Sequence, residues 1–197
     1  MRSVIPLLAL TLVACSSPDS APNEPEAVLD FEPNYAVVME ESALRFSGTQ
    51  EGSPFEGSFG EFDADIRFDA DDLDSSQVRV SIPLASIDAG SGDRNSTLPD
   101  AVWFDSRNFP TAVFESDDIS RDGDGYVANG TLSLKGAEAP VPLFFTLEED
   151  ARGRTVMRGD ATLDRTDWNV GASPWDTGEY VGHAVELDVV VVAEDVR

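Results

Sequence analysis

The sequence predicts an all-β fold in which antiparallel strands form a sandwich or a closed barrel. Apolar residues recur at every second position in several segments, which places them on one face of a strand. Turn signals separate these segments, and helical periodicity is almost absent. Two successive rows show the alternation: Phe62, Ala64, Ile66 and Phe68, and then Val78, Val80, Ile82 and Leu84.

The strands follow one another with short turns between them. Asp122-Gly123-Asp124-Gly125 and Ala151-Arg152-Gly153 are typical of hairpin turns. A helical turn is predicted over Leu98 to Phe104, with Pro99 at its first position. The predicted strands are Tyr35 to Met39, Ala43 to Thr49, Phe55 to Phe68, Gln77 to Leu84, Ala112 to Ile119, Tyr126 to Lys135, Val141 to Leu147, Thr155 to Leu163 and Val181 to Ala193.

Strands with one apolar face must enclose either a packed core or a cavity. An apolar cavity would bind an apolar molecule. The last predicted strand ends in four consecutive valines, Val189 to Val192. Such a run is typical of a strand that is covered on both faces or closes a barrel seam, and it is too short to span a membrane.

The charge balance excludes one class of partner. The chain carries 13 Lys and Arg against 38 Asp and Glu, a formal net charge of −25. Binding of nucleic acid needs clustered cations, so we expect no nucleic-acid partner. We interpret the excess of acidic residues as a contribution to solubility.

The N-terminus has the pattern of an export signal. Arg2 precedes an apolar run from Val4 to Val13, which is too short for a membrane-spanning helix. Leu12-Val13-Ala14-Cys15 resembles a bacterial lipobox, in which the cysteine is acylated and becomes the first mature residue. An ordinary signal peptide with an incidental cysteine is the alternative. Because Ser16 rather than an aspartate follows Cys15, we expect a periplasm-facing lipoprotein of the outer membrane.

Three segments are predicted along the chain. Residues 1–14 form the signal peptide, and residues 15–33 form the lipidated cysteine and a flexible tether rich in Ser, Pro, Glu and Asp. Residues 34–197 form a single domain. Cys15 is the only cysteine, so neither an internal disulfide nor a cysteine metal cluster is expected.

An ordered set of motifs in this domain, from about Tyr35 to Ala193, resembles the YceI family of polyisoprenoid-binding bacterial proteins. Departures from the family pattern, such as Trp103 and Trp168 for phenylalanine, bear on ligand fit more than on fold. The matching segments are Gly57-Ser58-Phe59 with Phe62, Ile66 to Asp69, Ser86-Ile87, Asp93-Arg94-Asn95 with Leu98, Trp103-Phe104-Asp105, Phe109-Pro110, Phe114-Glu115-Ser116, Gly130 to Gly136 and Arg165 to Gly171.

The resemblance implies an elongated, lipocalin-like antiparallel barrel of about eight strands with one or two short helical turns. It also implies a cavity for a long apolar chain, such as an isoprenoid, a quinone tail or a fatty acyl derivative. Burying about ten methylenes would contribute on the order of 8 kcal/mol before the entropy losses of binding. The predicted ligand-binding residues, chosen mainly by strand parity, are Phe62, Ile66, Phe68, Val80, Ile82, Phe104, Phe114, Tyr126, Leu132, Leu134, Phe145, Trp168 and Leu187.

Several of these side chains have a second interpretation. The inward residues of a small barrel commonly fill its interior, so core packing is the alternative for each. Trp103, Phe104, Trp168 and Trp175 are expected at the mouth, either as a rim or as a plug of packed loops. Arg165 would bind a polar head group or, as we expect, pair with a neighbouring carboxylate.

Residues that suggest catalysis or metal binding are few. His183 is the only histidine, and the sequence contains no nucleophile motif with which it could form a catalytic site. We therefore interpret it as a surface histidine. The segment Asp122 to Gly125 lacks the spacing of a calcium loop. We therefore expect no enzyme, no metal and no cofactor beyond a bound isoprenoid or quinone-like lipid.

Two functional hypotheses follow. The first is a tethered, noncatalytic barrel that sequesters or transports an isoprenoid, quinone or fatty-acyl type amphiphile in the bacterial envelope. The second is an accessory or docking protein for a membrane cytochrome b-type redox complex. A third hypothesis, a hydrolase that uses carboxylates, would require that mutation of one specific Asp or Glu abolishes activity. An exposed apolar strand edge would pair two barrels into a homodimer, and the sequence leaves the oligomeric state open.

Overall fold

The computed structural model describes residues 31–196. The predicted signal peptide, Cys15 and all but the last residues of the predicted tether lie outside this range. Twelve strands are present in it, with one α-helix, α1, at Gly92–Thr97. The strands are β1 Tyr35–Val37, β2 Ala43–Gln50, β3 Ser53–Phe59, β4 Asp63–Arg67, β5 Gln77–Pro83, β6 Ile87–Asp88, β7 Thr111–Ser116, β8 Ile119–Asp122, β9 Gly125–Leu134, β10 Ala137–Glu149, β11 Thr155–Asp164 and β12 Ala184–Asp195.

Eight of these strands close into an antiparallel barrel, which confirms the predicted fold. Their order around the ring is β1, β4, β5, β7, β9, β10, β11 and β12. The ring closes where β12 pairs with β1, with Tyr35 opposite Asp195 and Val37 opposite Ala193. Closure leaves no unpaired edge in the ring itself.

The remaining strands extend the wall. β2 pairs with β12 next to β1, β3 pairs with β2, and β6 pairs with β3. Because β6 follows β5 after a single 3-10 turn at Leu84–Ser86, this extension is linked back to the ring by the chain itself. β8 forms a hairpin with β9 across the predicted turn at Gly123 and Asp124.

The seam strand β12 accounts for the run of valines. It is paired on one side with β11 and on the other with both β1 and β2. Val191 and Val192 are both buried, although they point to opposite faces. The sequence-based interpretation of this run as a buried seam is confirmed.

The predicted helix was misplaced. α1 lies before Pro99 and ends at Thr97 with Leu98 as its C-cap, whereas residues 98–104 form a series of turns. Proline restricts the residue before it and has no N–H to donate, so Pro99 follows the helix and does not begin it. The side chain of Asn95 accepts a hydrogen bond from the Ala89 N–H at 2.7 Å, which fixes the start of this segment.

The predicted strand over residues 55–68 is two strands, β3 and β4. Gly60 interrupts it, and its N–H donates to the carbonyl of Ser86 at 2.9 Å. The apolar positions shift by one residue across the break, from Phe55 and Phe59 to Phe62, Ala64 and Ile66, so the change of parity marks the boundary between the two strands. No helix among residues 31–196 has both the length and the apolar character needed to cross a membrane.

The two ends of the barrel differ. At one end, three aromatic rings fill the bore: Tyr126 stacks on Phe145 at 5.3 Å between centroids, and Phe68 meets Tyr126 edge-on at 5.1 Å. We call this the closed end. At the other end, the turns at residues 50–53 and 135–136 and the segment 165–183 surround the bore. We call this the mouth.

The hairpin between β10 and β11 is fixed near the closed end by charges. Asp150 accepts hydrogen bonds from the backbone N–H of Arg154 at 3.0 Å and of Arg152 at 2.8 Å. The Arg154 guanidinium contacts both Asp150 and Glu41, at 2.7 Å each. The backbone hydrogen bond from Arg154 is the main reason that the pKa of Asp150 falls from 3.8 to about 2.

We predict that Asp150→Asn destabilises the chain in a pH-dependent way. The pKa of Asp150 is lower in the folded than in the unfolded state, so its contribution is complete above about pH 4 and is lost as the pH falls towards 2. Urea unfolding should show a lower midpoint for the variant at neutral pH and a smaller difference at about pH 2.5.

Asp188→Asn serves as the control for this measurement. Asp188 pairs with Arg45 at 3.3 Å, and both side chains are exposed, so its midpoint should change little at either pH. A difference between Asp150→Asn and the unsubstituted chain that keeps its size at low pH would show that the carboxylate charge is not what stabilises the hairpin.

Candidate functional site

The barrel contains a cavity of about 420 Å³ that begins at the mouth and extends towards the closed end. Its walls come from the inward positions of β2, β3, β4, β5, β7 and β9 to β12, and almost all of the lining is apolar. This volume lies in the range of small-molecule binding sites. We call it the upper cavity.

Small inward residues create this space. Ala64, Ala112 and Ala161 line the upper cavity from three different strands. Gly130 has a different role, because a Cβ at this position would lie 2.3 Å from the ring of Phe114. The ring therefore lies directly over the glycine, and the aromatic wall is held back from the bore.

Ten of the thirteen predicted residues line the upper cavity. Seven of them lie on strands in which alternate positions face inward, and Phe62, Phe104 and Trp168 are contributed by connecting segments. The ten are Phe62, Ile66, Val80, Ile82, Phe104, Phe114, Leu132, Leu134, Trp168 and Leu187.

The other three, Phe68, Tyr126 and Phe145, do not line it. They form the aromatic cluster of the closed end, where their rings lie 5.1–6.1 Å apart and pack against one another. Parity correctly gave their inward direction. Because three large rings meet there, one from the end of β4 and the others from β9 and β10, they fill the bore and leave no room for a long chain.

The tryptophans at the mouth have different environments. Trp168 is 1% exposed, and its indole Nε1–H donates to the carbonyl of Leu132 at 2.7 Å, so it is a wall of the cavity and not a wet rim. Trp175 is 37% exposed and packs against Trp103 and Tyr180, with centroids about 6 Å away. All three tryptophans of the chain contact the upper cavity.

Arg165 has a role that the sequence analysis did not predict. It is 5% exposed, and within the described range it forms no ion pair with a carboxylate. All of its guanidinium nitrogens donate to backbone carbonyls instead. The acceptors are Gly182 at 2.9 Å, Val170 at 2.6 Å, Gly171 at 3.0 Å, Trp175 at 2.6 Å and Val181 at 2.8 Å.

The expectation of a carboxylate partner for Arg165 was therefore wrong. The segment that follows Arg165 folds back over it and presents carbonyls from residues 170–182. Burial lowers the pKa of Arg165, while the charges of Asp164 and Asp176 act in the opposite direction. With its five N–H groups used, Arg165 has no donor left for a ligand head group.

Local backbone geometry places Arg165 at the mouth. Asp164 accepts hydrogen bonds from the N–H and the hydroxyl of Thr166, at 3.0 and 2.6 Å, and so begins a 3-10 turn at Arg165–Trp168. Gly171 has φ +69°, and a Cβ there would lie 2.6 Å from Arg165 Nη1 and 2.7 Å from the Trp103 ring. Only glycine fits this position without displacing either side chain.

A second cation, Lys135, contacts the same loop from the turn between β9 and β10. It occupies the two-residue turn between β9 and β10 with Gly136, both with positive φ. Its Nζ donates to the carbonyls of Val102 at 2.9 Å and Asn169 at 2.7 Å. Burial lowers the pKa of Lys135, and the charge of Asp105 partly offsets this effect.

Sequence reasoning missed Arg94 as a polar group of the cavity. It lies at the mouth, where Nε donates to Ala89 O at 2.7 Å and Nη1 to Gln50 Oε1 at 3.0 Å. Its guanidinium also packs over the ring of Phe55, 4.6 Å from the centroid. These hydrogen bonds involve Nε and Nη1 and not Nη2.

His183 has no arrangement around it that suggests chemistry. It precedes β12, and its Nε2 lies 2.9 Å from the carbonyl of Asp176. Among the residues that the structure describes, no three His, Cys, Asp or Glu side chains are grouped so that they could hold a metal ion.

Arg165→Lys should lower the free energy of unfolding by about 3 kcal/mol. Lysine offers three donors, so at least two buried carbonyls lose their partner, and each such loss costs about 1–3 kcal/mol. The measurement is chemical unfolding followed by tryptophan fluorescence.

Arg158→Lys provides the matched control, because Arg158 is exposed and, among the described residues, it pairs only with Glu148, at 4.0 Å. Its effect should stay within about 0.5 kcal/mol. An Arg165→Lys chain that loses less than about 1 kcal/mol would contradict the role assigned to the carbonyl contacts.

Comparisons with known proteins agree with this architecture. A family model described as YceI-like domain matches residues 35–193. A UPF0312 protein from Photorhabdus laumondii is 33% identical over 146 residues, which covers 72% of this chain and 73% of that protein. Another UPF0312 protein, from Pectobacterium atrosepticum, is 27% identical over 196 residues, with 97% and 96% covered.

Solved structures share the fold. The structure of BcnA from Burkholderia cenocepacia matches with a TM-score of 0.75 and 27% identity, covering 81% of this chain and 100% of that one. A domain from Saccharophagus degradans matches with a TM-score of 0.65 and 15% identity, covering 83% and 99%. That domain is described as polyisoprenoid-binding and as implicated in plant cell wall breakdown.

Proposed function

The chain belongs to the family of YceI-like domains, and we propose that it binds one amphiphile with a single long apolar chain, without catalysing a reaction. The ligand class is an isoprenoid, a quinone tail or a fatty acyl derivative. The observation that carries this proposal is the upper cavity, which is apolar along its length and begins at the mouth.

The size of the cavity is consistent with such a chain. At ~30 Å³ for a group the size of a water molecule, 420 Å³ gives room for roughly fourteen groups. An apolar lining without directed polar groups binds by desolvation and dispersion, and it selects for length and girth. The description of the Saccharophagus degradans domain as polyisoprenoid-binding supports the same class of ligand.

The mouth would receive the polar end of the ligand. Arg94 is the charged group there with a nitrogen outside the hydrogen bonds described above, and Gln50 and Thr97 also line the opening. A head group that accepts hydrogen bonds, such as a hydroxyl, a carbonyl or an anion, would lie beside Arg94. The apolar end would then point towards the closed end.

The location that we propose is the bacterial envelope. The pattern before Cys15 is typical of an exported lipoprotein, and acylation of Cys15 would anchor the barrel to the outer membrane on its periplasmic face. In this setting the barrel would sequester or transport lipid between the membrane and the aqueous periplasm.

Ala161→Phe tests the proposal by filling the upper cavity. Ala161 is 3% exposed, lines the cavity and faces inward on β11. The chain with Cys15→Ser would be expressed in a bacterial host, purified without detergent, weighed by native mass spectrometry and extracted with organic solvent. We expect a discrete added mass that the solvent releases as a long-chain lipid, and its loss in the Ala161→Phe chain.

Thr162→Phe adds the same ring to the outer face of the same strand, so this chain should keep the added mass. A chain that carries no added mass, and gains none when incubated with farnesol, an octaprenyl alcohol or a fatty acid, would refute the proposal. Retention of the lipid in Ala161→Phe would place it outside the upper cavity.

A further inference from the structure

A second, smaller cavity of about 70 Å³ lies between the upper cavity and the closed end. We call it the lower cavity. Its far wall includes Phe68 and Phe145, the rings on which Tyr126 packs. At ~30 Å³ per group, it has room for about two methylene-sized groups.

Five side chains line both cavities and therefore form the partition between them. They come from five different strands of the ring, so they meet across the bore from all around it. These residues, which we call the belt, are Ile66, Val78, Leu143, Met157 and Val191.

Four members of the belt have little freedom to move. Ile66, Val78 and Val191 are β-branched, which restricts χ1 in a strand. Leu143 packs on its neighbour: its Cδ1 lies 3.3 Å from the position that a Cβ of Gly159 would occupy. Met157 is different, because its unbranched thioether side chain adopts several shapes at low cost. It lies opposite Val191 in β12 and Leu147 in β10.

We infer that the belt sets the length of the bound chain and that Met157 determines whether the lower cavity is used. This inference rests on the proposed function and adds a specificity determinant to it. With Met157 across the bore, the ligand ends at the belt after roughly fourteen carbon-sized groups. Without that side chain, the two cavities join, and a longer chain gains burial for its end.

Prenyl alcohols of two lengths test this inference. Farnesol, with fifteen carbons, matches the upper cavity, and geranylgeraniol, with twenty, exceeds it. Binding to the full chain carrying Cys15→Ser can be followed by tryptophan fluorescence, because all three tryptophans contact the upper cavity. The readout is the ratio of the two dissociation constants within each variant, so a general loss of stability does not affect it.

Met157→Ala should improve geranylgeraniol binding relative to farnesol by about fifteenfold, since about two more buried methylenes each contribute about a fourfold gain. Met157→Val provides a second, less disruptive opening and should shift the ratio in the same direction. Met39→Ala is the matched control, because Met39 packs against the apolar core without lining either cavity, and its ratio should equal that of the unsubstituted chain.

The possible outcomes distinguish a failure of the proposed length determinant from a failure of the proposed function. If both alcohols bind and Met157→Ala leaves their ratio unchanged, the belt does not set chain length, while the proposed function stands. If neither alcohol, nor a fatty acid of similar length, binds the unsubstituted chain, the proposed function fails and this inference fails with it.

Discussion

A guanidinium that leaves water loses hydration worth several kcal/mol, and Arg165 recovers it from five backbone carbonyls instead of from a carboxylate. This interaction controls the mouth, because its acceptors belong to a segment that would otherwise have few apolar contacts to hold it. Lys135 acts in the same manner on the neighbouring residue of this loop, through Val102 and Asn169. In a chain of net charge −25, the two cations that shape the mouth thus bind backbone oxygens, and the bore beneath them is left open.

The same barrel is packed at one end and hollow at the other because its inward residues change in size along the strands. Near the closed end, Phe68, Tyr126 and Phe145 meet and fill the bore. Towards the mouth, alanines and glycines alternate with large side chains, and rings such as Phe114 lie over glycine. The apolar surface left uncovered would be costly unless a ligand covers it, which ties the packing directly to the proposed function.

Much of this architecture could be predicted from alternation in the sequence. Period-two patterns gave the strand class, the buried valines of β12 and the inward direction of the predicted residues that lie on strands, such as Ile66, Val80 and Phe114. Alternation shows which residues face inward, but it does not show how far along the barrel axis each one lies or which side chains it meets there. Phe68, Tyr126 and Phe145 were therefore assigned to the wall of a cavity whose end they close. Pro99 was assigned to the start of a helix that in fact ends before it, because proline is compatible with both boundaries.

The polar features of the site could not be predicted, since they depend on which loops meet. The composition favoured a carboxylate partner for Arg165, yet the loop that returns over it supplies only carbonyls. Arg94 was visible as part of a motif, but its position at the mouth follows from its contacts with Ala89, Gln50 and Phe55. The belt is likewise a property of five strands together, and Met157 has no distinguishing pattern around it in the sequence.

The most direct test of this account is a crystal structure of the chain purified from a bacterial envelope without removal of bound lipid. We expect one continuous tube of density in the upper cavity, with its polar end beside Arg94 and its apolar end at the belt next to Met157. Side chains collapsed into the bore, or lipid density confined to the outer surface, would contradict it.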